Sequence, residues 1–502
     1  MKTKFQPLVL AVSACLFIGC GGGGGSSTTT TGGGTGGTPT TPTTPTTPTA
    51  PADAPSFTEV SVHDPSVLKV GSEFYIFGSH LAAAKSSDLM KWTKVADGVT
   101  NANPLISNVL TELKETFDWA EASTLWATDV IQLADGKFYM YYNACKGDSP
   151  RSALGVAVAD SVEGPYKNKQ ILLKSGMWGE ASPDGTVYDA QKHPNVVDPD
   201  VFFDKNGRLW MLYGSYSGGL FILELDKTSG LPLPEQGYGK HLMGGNHSRI
   251  EGGYVLYSPD TDYYYLFVSF GGLDAAGGYN IRVSRSSNPE GPYFDALGND
   301  MASVKSDPAK TLFDDASIAP YAEKLMGNHQ FTALTGETTA PGYVSPGHNS
   351  AWYDETKKQY FLIFHSRFPG RGEQHEVRVH QMFINSEGWP VVAPLRYAPP
   401  ADSSVAASAV AGTYQLIDHG KDISATVKTA STVTLTADGK VSGSQTGSWV
   451  LEANQQLKLV LDGAGQFDGV VSKQWHQGRS NWAVTFSVLS DQGRSLWAVK
   501  NP

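Results

Sequence analysis

Val197-Asp198-Pro199-Asp200-Val201-Phe202-Phe203, a turn at Asn206-Gly207, then Leu209-Trp210-Met211-Leu212-Tyr213-Gly214-Ser215. An acid stands before a short β-rich run. Asn-Gly is a strong two-residue hairpin signal, because both residues accept the positive φ that the turn demands. The second run is aromatic and apolar on both faces, so it must lie between packed layers rather than on a half-exposed edge. It closes on a small or polar residue. The whole reads as a β-hairpin.

The phrase recurs four more times. His63-Asp64-Pro65-Ser66-Val67-Leu68 turns at Gly71 into Phe74-Tyr75-Ile76-Phe77-Gly78-Ser79. Ala127-Thr128-Asp129-Val130-Ile131 turns at Asp135-Gly136 into Phe138-Tyr139-Met140-Tyr141-Tyr142-Asn143. Glu251-Gly252-Gly253-Tyr254-Val255-Leu256-Tyr257 turns at Asp260 to Asp262 into Tyr263-Tyr264-Tyr265-Leu266-Phe267-Val268-Ser269. His348-Asn349-Ser350-Ala351-Trp352-Tyr353 turns near Glu355 to Lys358 into Tyr360-Phe361-Leu362-Ile363-Phe364-His365-Ser366. Long helical periodicity is scarce, and Thr111 to Ala122 is the one short helix expected. Five β-repeats in one unit predict an all-β chain with a five-bladed β-propeller. The competing arrangement is a large β-sandwich with five aromatic hairpins. The polar residue shared by most hairpin mouths favours the propeller.

Aligned on their aromatic strands, the phrases put Asp64, Ala127, Asp198, Glu251 and His348 at matching mouth positions. The innermost strand of each propeller blade lines the axis, so three carboxyls and an imidazole from four blades would converge there. Singly each acid is weak evidence, since most Asp-Pro pairs are turns. Carboxyls at a channel mouth are the equipment of glycoside hydrolysis: one is protonated to donate to the leaving oxygen, another ionised to activate water or attack the sugar. A third nearby charge holds the donor's proton, because like charges raise a carboxyl pKa.

The set His63-Asp64-Pro65-Ser66-Val67, Val197-Asp198-Pro199-Asp200-Val201-Phe202 and Arg249-Ile250-Glu251-Gly252-Gly253-Tyr254 resembles glycoside hydrolase family 43. Tyr213-Gly214-Ser215-Tyr216-Ser217-Gly218-Gly219, Ser269-Phe270-Gly271-Gly272-Leu273 and Gly347-His348-Asn349-Ser350 resemble its endo-arabinanases of the two-domain type. The resemblance covers about residues 57–400. It implies hydrolysis of internal α-1,5-linked arabinan with inversion, Asp64 as general base, Glu251 as general acid and Asp198 keeping the donor's pKa raised. It also implies one structural Ca²⁺ near His348, held largely through water. A hydrogen-bonded channel histidine is the other reading of His348. Trp126 and Tyr216 are candidates to stack on sugar faces, and Phe117 and Trp119 to rim the cleft. Asn143 and Ser215 are candidates to bind sugar hydroxyls. For each of these, core packing or strand capping is the plain alternative. The function alternatives are an exo-acting arabinofuranosidase or β-xylosidase on the same scaffold, and a non-catalytic surface carbohydrate-binding protein.

The 502-residue chain is 40% hydrophobic and 17% charged, which excludes wholesale disorder. Its net charge of −11 argues against a nucleic-acid partner. Three cysteines cannot make a disulfide scaffold. Residues 1–19 read as a signal peptide, with Lys2 and Lys4 before an apolar run too short to span a membrane. The run ends Leu16-Phe17-Ile18-Gly19-Cys20. This resembles a bacterial lipobox, implying lipidation of Cys20 and an exported lipoprotein at the outer membrane or cell surface. Membrane association would come only through that anchor. Residues 20–55 are a Gly/Thr/Pro-rich linker with almost nothing to bury. Cys145 reads as a small buried apolar residue. The expected domains are 56–400, the propeller, and 401–502, a small β-barrel or sandwich that buttresses the propeller or binds polysaccharide, the buttress being favoured because no run of exposed aromatics stands out. A monomer acting on arabinan, a pectin side chain, is the expected state. His375-Glu376-Val377-Arg378-Val379-His380 has the wrong spacing for a helical zinc site and alternates as a strand.

Overall fold

The computed structural model describes residues 54–399 and 404–502. The signal segment, Cys20 and nearly all of the 20–55 linker lie outside the described residues.

Among the described residues the first part of the chain forms five sheets of antiparallel strands consecutive in sequence, the fifth extended by one parallel strand from the C-terminal part. The innermost strands are Ser66–Val70, Trp126–Gln132, Asp200–Phe203, Ile250–Ser258 and Gly342–Asp354, for blades 1 to 5. Their hairpin partners are Glu73–Phe77, Phe138–Cys145, Leu209–Ser215, Tyr263–Phe270 and Gln359–Arg367. Side chains of a strand alternate between faces, so each partner strand feeds two interblade cores. Phe138, Met140 and Tyr142 pack with Tyr75 and Phe77 of blade 1, while Tyr139 and Tyr141 pack with Met211 and Tyr213 of blade 3. Trp210 and Leu212 go on to meet Tyr264, Leu266 and Val268 of blade 4. The two-sided apolar runs are therefore the walls between neighbouring blades of a propeller, not one face of a sandwich.

The ring closes through the segment ahead of blade 1. Val60 and Val62 are buried with Phe361, Ile363 and Val377 of blade 5. The Val377 N–H donates to the Val60 carbonyl at 2.9 Å. Glu59 bridges Arg378 and Arg396 at 2.8 and 2.6 Å.

The C-terminal part is a closed barrel of eight strands, running from Gly412–Asp418 to Ser495–Lys500. Leu457, Leu459, Phe467, Val471, Phe486 and Val488 fill its interior. Eight strands leave just enough room for such side chains. The connection after Gly412–Asp418 reaches into the propeller. Lys428–Thr429 pairs in parallel with His329–Gln330, beside blade 5. Lys324 Nζ donates to the His419 carbonyl at 2.8 Å, and Arg282 Nη2 to the Lys421 carbonyl at 2.6 Å.

The helix expected over Thr111 to Ala122 is two pieces, Val109–Glu112 and Lys114–Ala120, broken at Leu113. Cys145 is half-buried rather than buried, because it ends its strand at the rim.

Candidate active site

At four of the five mouths one residue leaves the extended backbone. Asp64, Asp198 and His348 have φ of 57°, 55° and 44°. Left-handed backbone is uncommon for residues with a Cβ and costs energy that the surrounding structure must hold. In blade 4 the left-handed position falls on Gly252, φ 60°, one residue after Glu251. Glycine is required there twice over, since a Cβ would lie 2.9 Å from Cγ of His348. Strand register also shifts next to Trp126, Glu251 and Gly347, which re-aims the mouth side chains.

Asp64 is 6% exposed and fully engaged. Ser79 Oγ donates to its Oδ2 at 2.5 Å, His63 Nδ1 lies 2.8 Å from Oδ2, and His348 Nδ1 lies 3.0 Å from Oδ1. Burial pushes the Asp64 pKa up, but His348 and His63 together outweigh it and hold the carboxyl well below its ordinary range. His365 accepts the Asp64 N–H at Nδ1, 3.2 Å away, which leaves its proton on Nε2.

Glu251 sits across the mouth. Ser215 Oγ donates to its Oε2 at 2.9 Å and Tyr279 OH to its Oε1 at 3.0 Å. Gly347 makes room for Tyr279: a Cβ there would lie 2.0 Å from the ring. Burial raises the Glu251 pKa despite the opposing pull of His348. Asp198, 8% exposed, accepts the Gly252 N–H at 3.4 Å. Burial lifts its pKa, and the charges of Glu251 and Asp64 add to the rise against His348, reaching about 7. The site thus holds one carboxyl that keeps its charge and two that keep a proton more readily. His348 is pushed up to about 9: burial lowers it, but Asp64 and Asp198 more than compensate.

Below this ring is a second one, two residues further along the strands. Asp129 accepts the Val201 N–H at 2.7 Å and a hydroxyl hydrogen bond from Ser66. Asp200 accepts the Val255 N–H at 2.8 Å. Burial raises Asp129 to about 6 and Asp200 well above its ordinary value. The alignment on Ala127 passed over Asp129, whose side chain carries the charge of blade 2.

Asp64, Asp198, Glu251 and His348 thus share one mouth. The remaining sequence candidates divide. Trp126 is half-buried at the rim beside His80, ring centroids 5.2 Å apart. Ser215 is committed to Glu251. Tyr216 donates to the Gly271 carbonyl at 3.0 Å and is half-buried. Asn143 is fully buried, its amide donating to the Ala127 carbonyl at 2.8 Å, so it caps the hairpin instead of facing solvent. Phe117 does not rim the cleft: its helix turns it into the core between blades 1 and 2. Trp119 packs under Arg151 and Lys174. The sequence reading gave no role to His63, Ser79, Tyr279 or Asp129. The signal for Ser79 was present: Ser79, Ser215 and Ser269 all end aromatic strands, and Ser269 Oγ accepts the His348 N–H at 2.7 Å.

For calcium, the chemistry of the axial cavity fits. It is lined by Asp64, Ser66, Thr128, Asp200, His348 and Asn349, an oxygen-rich set. Among the described residues the buried side-chain amide of Asn349 and the Ser350 hydroxyl have no protein partner. His63, Asp64 and His365 bring their ligand atoms within 4.8 Å of one another. Two imidazoles suit a softer metal, and His63 and His365 already bond to Asp64.

Three comparisons with known proteins place this geometry. Residues 56–316 match the family model for glycosyl hydrolases family 43, and residues 394–498 that for a C-terminal lipocalin-like domain. The chain is 60% identical over 449 residues to the extracellular endo-α-(1→5)-L-arabinanase 2 of Bacillus subtilis, covering 89% of this chain and 95% of that one. The crystal structure of the family 43 YxiA protein from Bacillus licheniformis superposes with a TM-score of 0.86 at 60% identity, covering 89% of this chain and 99% of that one. That of the endo-1,5-α-L-arabinanase from Thermotoga petrophila gives 0.85 at 48% identity, covering 89% and 100%.

Proposed function

The chain belongs to glycoside hydrolase family 43, and from that premise we propose that its mouth carboxyls cut internal α-1,5-L-arabinofuranosidic bonds of arabinan with inversion. It is a glycoside hydrolase of the arabinanase kind, by its identity to relatives that carry that name over nearly their whole length. The observation that carries the chemistry is the opposed proton affinity across one mouth: Asp64 held low, Glu251 and Asp198 held high.

Asp64, ionised, takes a proton from water as that water attacks the anomeric carbon. Glu251, protonated, gives its proton to the departing glycosidic oxygen as the carbon–oxygen bond breaks. Asp198 touches neither proton; it orients the mouth through the Gly252 N–H and, when ionised, keeps the donor loaded through its charge. His348 orients Asp64 and lends it positive charge. His348, giving up its extra proton, and Asn349, with Asp129 and Asp200 ionised and acting through water, would hold Ca²⁺, whose charge would take the place of the imidazolium's beside Asp64.

Incubation with debranched arabinan followed by chromatography tests the reading. Mixed oligosaccharides are expected; arabinose alone would mean exo action, and no product would mean binding only. Proton NMR of the first products should show the inverted anomer. Removal of calcium with EDTA should lower activity or Tm, and indifference would remove the ion from the site.

The protein is exported, as its relatives named extracellular are. The finer reading is that Cys20 is acylated and residues 20–55 tether the enzyme to a membrane. Metabolic labelling with an alkynyl fatty acid should mark the wild type and not Cys20→Ala.

A further inference from the structure

The long connection between Asn280–Ser286 and Glu323–Met326 in blade 4 climbs to the mouth before returning. Ser306 N–H donates to Ser248 Oγ at 2.7 Å, and Arg249, two residues before Glu251, holds Asp315 in a two-pronged ion pair, Nε to Oδ1 at 2.9 Å. Between these anchors the loop presents Leu312, 61% exposed, and Phe313, 47% exposed. Phe313 has φ 64°, an outlying backbone for a bulky residue. Its ring meets Tyr216 edge-on at 5.8 Å. Tyr216 follows Ser215, the residue bonded to Glu251, and feels the Glu251 charge directly. Phe313 therefore packs on the immediate neighbour of a residue bonded to the carboxyl assigned as acid.

The opposite rim has its own ring. Trp126 packs on His80, the neighbour of Ser79, which holds Asp64. One aromatic thus stands on the base side and one on the acid side. An enzyme that grips the interior of a polymer needs contacts beyond the scissile bond in both directions. The acid faces the leaving group, so whatever touches Phe313 is the departing part of the chain.

We propose that Phe313 is a stacking platform for the arabinofuranose units on the leaving-group side, and that the Arg249–Asp315 pair positions it. This rests on the arabinanase reading above. Furanose rings present apolar C–H faces that suit an exposed aromatic. Loss of one such contact weakens binding by about two- to ten-fold, and the loss belongs in KM, because the contact is made equally in ground and transition states.

The test is steady-state kinetics of wild type, Phe313→Ala, Phe313→Trp and Leu312→Ala on debranched arabinan, with thermal melting of each. Phe313→Ala should raise KM about five-fold, leave kcat within about two-fold and keep its Tm, while Phe313→Trp restores KM. Unchanged KM in Phe313→Ala with an active wild type would overturn the platform. So would equal loss in Phe313→Ala and Phe313→Trp with a lowered Tm, which marks a structural role. If the wild type releases nothing from arabinan, the activity reading itself fails and takes the platform with it.

Discussion

Two rings of acids circle the same axis, one residue pair apart, and they do different work. Asp198 and Asp200 share a strand, and side chains two apart in a strand point the same way. Both are buried and both have raised pKa values. Their partners differ. Asp200 and Asp129 each accept a backbone N–H of the next blade, Val255 and Val201, and so stitch blades together, with the Ser66 hydroxyl also on Asp129. In the upper ring Asp198 likewise accepts a backbone N–H, that of Gly252, but the base and the acid bond to side chains that can titrate or rotate: histidines and Ser79 around Asp64, Ser215 and Tyr279 around Glu251. A buried carboxyl fixed by backbone is architecture. One held by side chains at an open mouth can exchange protons with a substrate.

The largest effect that would break this contrast is in the upper ring. Glu251→Gln and Asp64→Asn should each lower kcat on debranched arabinan about a thousand-fold with an unchanged circular dichroism spectrum. Near-normal turnover of Glu251→Gln would reassign the acid.

Asp198→Asn should cost less, about a hundred-fold, and should also move the pH profile. The base is competent above the Asp64 pKa, which lies below the ordinary carboxylate range, and the acid below the raised pKa of Glu251. Where Asp198 is ionised, above its own pKa of about 7, removing its charge lowers the Glu251 pKa, so the alkaline limb of kcat/KM should shift to lower pH. An unmoved limb would mean Asp198 does not load the donor.

Tyr279→Phe deletes one hydrogen bond to Glu251, and a loss of about ten-fold in kcat is expected, with KM little changed. Equal loss in kcat and Tm would put Tyr279 among the merely structural residues.

The smallest effect should come from the lower ring. Asp200→Asn keeps an acceptor for the Val255 N–H, so Tm should hold and activity should fall only about three-fold, recovered by added calcium. Asp200→Ala strands that N–H and should lower Tm at comparable activity per folded molecule. A thousand-fold loss in Asp200→Asn would erase the distinction between the rings.

Much of the fold was legible because it repeats. Five hairpins with two-sided apolar strands and a polar mouth left few architectures open, and the same alignment located Asp64, Asp198, Glu251 and His348. Asp129 was missed because the alignment followed the mouth position, which in blade 2 is the uncharged Ala127, while the acid stands two residues further along, as Asp200 does from Asp198. Phe117 looked like a rim aromatic because the break at Leu113, which sets the direction of its helix, leaves no mark in composition. Tyr279 and Gly347 lie far apart along the chain, and only the packing of the Tyr279 ring on the Gly347 backbone brings the phenol onto Glu251.

The amino-acid sequence alone determined the blades, the acids at their mouths and the existence of a second β-domain, because hydrophobic alternation and turn residues act over a few neighbours. Tertiary structure decided which carboxyl keeps its proton. That choice depends on distances between charges from different blades and on how much water each one loses, and neither quantity is local to the chain.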